Sequence, residues 1–442
     1  MSDTLRPSST PSLDPYWMPF TSNRRFKRDP NLFVAADGMY YQREDGGQVL
    51  DGMAGLWCVN AGHRRPEIID AIARSAWQLD YAPSFQMGHP LAFEFAEALI
   101  DIAPSGISNV FFSNSGSEAV DTALKIGLAY HRARGEVGRV RLIGRERGYH
   151  GVGFGGLAVS GIAAHRKPYG NLPPYTDYLP HTYNRDEMAY SQGQPNWGAH
   201  LADELQRLVT LHDASTIAAV IVEPVSGSTG VLVPPVGYLK RLSEICKQHG
   251  ILLIFDEVIS GFGRVAGAFA SEWLGVVPDI IVSAKGLTNG AVPMGATLVG
   301  AHVYEALMNA APDAIELPHG YTYSGHPLAC AAGLAALGVY QKENLFQRAQ
   351  ELSPLWQTTA HALRGEPHVV DVRNFGLLAA VELAPIAGHP GQRGFAVHQA
   401  CLKKNVLIRS SGDTMLLSPP LTISPDQIQE LFSTLAEVLR AE

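Results

Sequence analysis

Short runs of consecutive apolar residues recur through the middle of the chain, at 109–113, 139–144, 217–222, 251–256, 279–284 and 295–299. Runs of this length, rich in β-branched residues and bounded by turn residues, predict strands buried on both faces. Stretches with helical spacing of apolar positions, such as 117–133 and 236–249, fill most of the gaps. The alternation predicts a mostly parallel sheet with helices on both faces. Residues 150–200, crowded with Gly, Pro, Tyr and His, interrupt it and read as a long irregular insertion of the kind that serves function or an interface.

The flanks follow another rhythm. Pro66 to Leu79 reads as a helix with Ile68, Ile69, Ile72 and Ala76 on one side, and 92–102 as another. Asp45-Gly46-Gly47 predicts a turn between two short strands. After about residue 328 one long helix (328–363) is expected, then strands near 368–383 and 405–418. A closing helix at 425–440 follows, with Ser424 as N-cap and Pro425 in the first turn. The fold class is therefore α/β: a large domain on a mostly parallel sheet plus a smaller α+β domain. The expected division is 1–60 for an N-terminal arm and part of the small domain, 61–327 for the large domain and 328–442 for the C-terminal small domain. Prolines 7, 11, 15 and 19 predict an extended arm over the first thirty or so residues. Tyr16, Trp17 and Phe20 within it call for a surface to cover.

Composition narrows the function classes. Of 442 residues, 46% are hydrophobic and 17% charged, which suits a large core and leaves apolar surface for subunit contacts. The formal net charge of −8 gives no basic footprint for nucleic acid. No apolar stretch approaches the roughly 18 residues of a membrane span. Cys58, Cys246, Cys330 and Cys401 have neither metal-ligand nor disulfide spacing, so reduced thiols in a cytoplasmic protein are the expectation, with no metal.

Two of the predicted strands deliver ionisable residues to their ends. Asp256 closes the run Ile251-Leu252-Leu253-Ile254-Phe255, and Lys285 follows Ile280-Ile281-Val282-Ser283-Ala284. In open α/β sheets the carboxyl ends of the strands are where ligands bind. A lysine for a Schiff base and a carboxylate for a protonated pyridine nitrogen are what pyridoxal 5′-phosphate (PLP) requires. Alone, the pair also fits a turn Asp and a surface Lys. A second signal joins it. Val110-Phe111-Phe112-Ser113-Asn114-Ser115-Gly116-Ser117 runs from strand through a small polar turn into a helix. Such a helix start binds phosphate, although an ordinary Ser N-cap reads the same way.

In chain order come strand–Ser115-Gly116-Ser117–helix, Gly148-Tyr149-His150-Gly151, Val222-Glu223-Pro224, Asp256-Glu257-Val258 and Lys285-Gly286. This series resembles class III (subgroup II) PLP-dependent aminotransferases of fold type I, the aspartate aminotransferase-like fold. The resemblance spans about Trp17 to Leu439, and its most specific phrases are Phe255 to Arg264 and Gly320 to Pro327. Gly55-Leu56-Trp57, Phe85 and Val406-Leu407-Ile408-Arg409 look most like the ω-amino acid:pyruvate (β-alanine:pyruvate) transaminases.

The resemblance implies roles. Lys285 is the Schiff-base lysine and proton carrier, and Asp256 the partner of the pyridine nitrogen. Val258 and Tyr149 take opposite faces of the cofactor ring, with Glu257 turned to solvent. Ser115, Gly116 and Ser117 hold the phosphate, and Thr322 reaches the phosphate of a neighbouring subunit, which implies a homodimer or a dimer of dimers with shared sites. His150 and Glu223 are cofactor neighbours or structural groups. Trp57, Phe20, Phe85 and Tyr149 line a pocket for an amine donor and pyruvate. Arg409, at a strand end, is the movable arginine that pairs with a substrate carboxylate. Relatives acting on ornithine or γ-aminobutyrate mask that arginine with a Glu where this chain has Ser228. The implied activity moves an amino group from an ω-amino acid or primary amine to pyruvate. Other class III donors, an aminomutase, racemase or decarboxylase on the same fold, and a regulator lacking activity, are the alternatives.

Overall fold

The computed structural model describes residues 12–310 and 314–442. Three strands, β1 (Phe33–Asp37), β2 (Tyr40–Arg43) and β3 (Gln48–Asp51), form an antiparallel meander near the N-terminus. The central sheet contains β4 (Ile107–Ser113), β5 (Arg141–Glu146), β6 (Ser160–Gly161), β7 (Thr176–Leu179), β8 (Ile217–Val222), β9 (Leu252–Asp256), β10 (Ile280–Ala284) and β11 (Gly295–Gly300). The last part of the chain adds β12 (Val369–Phe375), β13 (Leu378–Leu383), β14 (Val406–Leu407), β15 (Arg409–Ser411) and β16 (Thr414–Leu417).

The central order is β4-β11-β10-β9-β8-β5, with β6 and β7 both beside β5. Only β11 runs antiparallel to its neighbours. Every residue of β8, β9 and β10 is buried, as expected for strands covered on both faces. One face packs on the helix Gly116–Ala133, the other on Glu204–His212 and Tyr238–His249. Gly250, at φ +63, ends the last of these in the left-handed conformation and turns the chain into β9. The carboxyl ends of β4, β5, β8, β9 and β10 lie on one edge, and the motifs leave from that edge.

β3 pairs parallel with β14, so residues 33–51 join the C-terminal part of the chain. β12, β13, β16 and β15 form a separate antiparallel sheet, closed by the helix Pro425–Ala441 with its Ser424–Gln427 capping box.

Several expectations change. The single helix of 328–363 is two, Pro327–Lys342 and Leu345–His361. Asn344, at φ +50, breaks them, and Asn tolerates that conformation better than most residues. The 150–200 insertion is not wholly irregular: Thr176–Leu179 is a sheet strand pairing parallel with β5. The arm carries a short helix, Asn23–Arg28, between Pro19 and Pro30. Tyr16, Trp17 and Phe20 stay exposed in this chain. No helix among the described residues is long and apolar enough to cross a membrane.

Candidate active site

At the carboxyl edge of the sheet a cavity of about 150 Å³ is lined by Gly116, Ser117, Val120, Tyr149, His150, Gly151, Glu223, Asp256, Val258, Ile259, Ala284 and Lys285. Eight of these were expected from sequence. Asp256 ends β9 and is nearly buried. Its Oδ2 lies 2.8 Å from His150 Nδ1, and its Oδ1 accepts the Val258 N–H at 3.1 Å. That leaves His150 Nε2 buried without a protein partner. His150 is thus tied to the acid itself, a contact that a structural histidine and a cofactor neighbour would both make.

Lys285 begins the turn after β10 with φ +55, a strained conformation for a residue with a Cβ. Backbone strain of this kind costs about 1–3 kcal/mol and gathers at functional sites. Burial pushes the Lys285 ammonium below its usual range, an effect only partly offset by the Cys58 thiol, Asp256 and Glu223. A lysine so placed is readily neutral and nucleophilic.

Glu223 follows β8. Its Oε1 accepts the Tyr149 N–H at 2.9 Å and its Oε2 the Gly227 N–H at 3.1 Å. Burial raises its carboxyl to about 7; His150 works against the shift and Asp256 with it. Arg145 Nη2 fixes the same turn by donating to the Glu223 carbonyl at 2.6 Å and to Ser226 Oγ at 2.8 Å. Glu223 therefore holds the segment that carries Tyr149.

The helix Gly116–Ala133 points its N-terminus at the cavity. Ser115 Oγ accepts the Glu118 N–H at 3.2 Å, and Glu118 reaches back to the Asn114 N–H at 2.7 Å. Ser115 is therefore the N-cap and stands just outside the lining. Ser117 Oγ accepts the Val152 N–H at 3.1 Å, which leaves its own proton free to donate. The first-turn N–H groups have no intrahelical acceptor. A Cβ on Gly151 would fall 2.4 Å from Ser117 Oγ, and one on Gly295 would fall 2.2 Å from the Ser115 carbonyl. Both glycines are required by close approach. The result is an anion cradle beside a lysine and an acid, open to a group with a phosphate at one end and a pyridine nitrogen at the other. These residues fit PLP.

A family model for class-III aminotransferases matches residues 23–439. The chain belongs to this family. Class-III aminotransferases are PLP enzymes, and the aminotransferase described here is one of them. It is 57% identical to an ω-aminotransferase of Caulobacter vibrioides over 97% of both chains. It is 48% identical to a β-alanine–pyruvate aminotransferase of Pseudomonas aeruginosa, over 98% of this chain and 97% of the relative. Among solved structures it is similar to an amine transaminase from an uncultivated Pseudomonas in its PLP-bound form. The TM-score is 0.89 at 37% identity, with 96% of this chain and 98% of that one covered.

The remaining expected residues of the aminotransferase lie outside the cavity lining. Trp57 is buried, with Lys285 Nζ over its ring at 5.3 Å from the centroid. Arg409 Cζ lies over the same ring at 5.2 Å. Arg409 opens β15 rather than closing a strand, because the chain breaks at Ile408. Phe20 shares a second, larger cavity with Arg409, Ser410 and Leu56, and its ring lies tilted 5.2 Å from that of His165.

Two expectations need correction. Phe85 does not line this chain's own cavity: it is 60% exposed and lies against Gly320. Thr322, two residues after Gly320, is likewise exposed, with its carbonyl accepting from Tyr81 Oη at 3.1 Å. Glu257 does not face solvent. It is fully buried and accepts from the Ser271 N–H at 2.9 Å, the Ser260 hydroxyl at 3.1 Å and the Ala270 N–H. The strand ends at Asp256, so the alternation of faces does not extend to Glu257.

Sequence reasoning also missed His165. Its ring lies 5.9 Å from that of Tyr149, and burial together with Arg409 holds its imidazole below the usual range. It comes from the irregular insertion, where no motif marked it.

Proposed function

We propose that this aminotransferase moves an amino group from a short ω-amino acid such as β-alanine, or from a primary amine, to pyruvate, with alanine as product. One observation carries the substrate class. Arg409 is a half-buried guanidinium with no carboxylate in ion-pair contact among the described residues, and it lies on Trp57, next to Lys285. Burial pushes its guanidinium down from its usual range, so a substrate carboxylate supplies the charge that the protein withholds. Ser228, where a masking Glu stands in other relatives, leaves that cation available.

The chain's own groups divide the work. The Gly116–Ser117 cradle and the helix start would hold the phosphate, and Asp256, oriented by His150, would pair with the pyridine nitrogen. When bound, PLP supplies a conjugated ring that accepts the electron pair of the broken C–H bond. Lys285 Nζ would serve as general base at the substrate carbon that bears the amino group and then as general acid. Tyr149 and Val258 flank the ring position, and Glu223 keeps Tyr149 in place through its backbone. Arg409 holds the carboxylate of β-alanine in one half-reaction and that of pyruvate in the other.

The assembly we propose is a homodimer or a dimer of dimers. Thr322 and Phe85 are both exposed and neither lines this chain's cavity, and Tyr16 and Trp17 of the arm are exposed as well. A second copy gives both sets a surface. A fully active monomer in sedimentation at assay concentration would contradict this.

Arg409→Ala tests the substrate reading. Losing a charge-assisted pair costs about 1.5–3 kcal/mol, roughly a tenfold to hundredfold fall in kcat/KM. That fall is expected with β-alanine and with pyruvate. A single half-reaction with an apolar amine, which has no carboxylate, should keep its rate. Equal losses for both donors would assign Arg409 a merely structural role.

A further inference from the structure

We infer that Trp57 is the resting place of Arg409: a positioning residue whose ring holds the guanidinium when the substrate has no carboxylate. This rests on the carboxylate-binding reading of Arg409 and supplies what that reading lacks, a partner for the cation in the empty state.

The geometry is specific. Arg409 Cζ lies over the indole at 5.2 Å, within the range in which the ring quadrupole attracts a cation. Burial disfavours the charged form of Arg409, Tyr149 works against that shift, and no carboxylate among the described residues pairs with it. The indole itself is only 4% exposed, and its Nε1 has no hydrogen-bond partner, so no polar contact accounts for its placement.

The backbone shows what that placement costs. Ala54, Gly55 and Trp57 have φ of +47°, +66° and +61°. Two of the three carry a Cβ, and such strain persists only where the surroundings impose it. Asp51 imposes it here. Its Oδ1 accepts the Met53 N–H at 2.9 Å, and its Oδ2 accepts the Gly55 N–H at 2.7 Å and meets His63 Nε2 at 2.8 Å. A buried acid thus holds a strained turn that places the indole ring against both Lys285 Nζ and the Arg409 guanidinium.

An aromatic face suits a parking site. It attracts the guanidinium without neutralising it, so a bidentate carboxylate outcompetes it, whereas a masking Glu would have to be displaced. The cation leaves for a carboxylate and returns for an amine.

The test compares Trp57→Leu and Trp57→Phe with the wild-type holoenzyme. Two donors of matched shape are used, β-alanine and 3-methylbutylamine, together with propionate as a dead-end ligand. Leucine keeps an apolar wall and removes the ring; phenylalanine keeps a weaker ring. Without its resting place Arg409 gives up nothing on binding carboxylate. Propionate should bind Trp57→Leu about threefold to tenfold more tightly, the size of one cation–π contact. The kcat/KM ratio of β-alanine to 3-methylbutylamine should rise by a similar factor, with Trp57→Phe in between. Effects through Lys285 or pocket volume act on both donors and cancel in the ratio. An unchanged or weakened affinity for propionate would overturn the inference, because it would make Trp57 a wall or a support for the bound arginine. Arg409→Ala is measured alongside. If it leaves propionate binding intact, the carboxylate reading fails and the parking site with it. If it weakens binding while Trp57→Leu changes nothing, only the parking site fails.

Discussion

Lys285→Ala will still bind PLP and will lose turnover by a factor of about 10⁴ or more, the upper range for removing a positioned acid–base group. The cradle at Gly116 and Ser117 and the Asp256–His150 pair do not depend on the lysine, so the phosphate and ring sites remain. The reaction loses both its covalent anchor and the amine that carries the proton. Lys285 is suited to both tasks because burial lowers its pKa, so a larger share of it is neutral at a given pH than of an exposed lysine. Borohydride reduction of the wild-type holoenzyme followed by peptide mapping should place the cofactor on Lys285, and Lys285→Ala should show no such adduct. Label on another lysine would remove the assignment.

Asp256→Asn is expected to lower kcat about 10²- to 10³-fold, the usual range for losing one preorganised electrostatic partner of a developing charge. The substitution keeps the size of the side chain and its contact with the Val258 N–H, but removes the negative charge. The His150 Nδ1 partner at 2.8 Å then faces a neutral group, so the pair no longer favours a protonated pyridine nitrogen. Cofactor affinity should weaken far less than kcat, since the phosphate cradle is untouched. A parallel fall in cofactor retention and kcat would instead mark Asp256 as a packing residue.

Much of this site was legible because the fold writes it into strand ends. β8, β9 and β10 are buried on both faces, so each reads as a mostly apolar run, and the first ionisable residue at the end of each is Glu223, Asp256 or Lys285. The Ser-Gly-Ser turn was legible because a strand leading to a helix start needs small residues where backbones approach. Other features depend on tertiary contacts that leave no local trace. Thr176–Leu179 becomes a strand only because β5 offers it an open edge. His165 reaches Tyr149 and Phe20 through the course of an insertion with no periodicity. Glu257 looked solvent-directed because a carboxylate is rarely buried, yet the Ala270 and Ser271 N–H groups, distant in sequence, satisfy it. The left-handed turn at Trp57 was also hidden, although its cause is local: Ala and Trp give no sign of positive φ, and it is Asp51, the residue ending β3 just before the turn, that holds it.

The most direct measurement is a pair of half-reactions with purified holoenzyme. β-Alanine is added alone, and the visible absorbance of the bound cofactor is followed. Pyruvate is then added, and alanine is counted per site. The absorbance should be discharged by β-alanine in a single turnover and restored by pyruvate, with about one alanine released per site. An enzyme that racemises or decarboxylates its substrate, and leaves the cofactor absorbance unchanged with no alanine formed, would contradict the assignment as an amine:pyruvate transaminase.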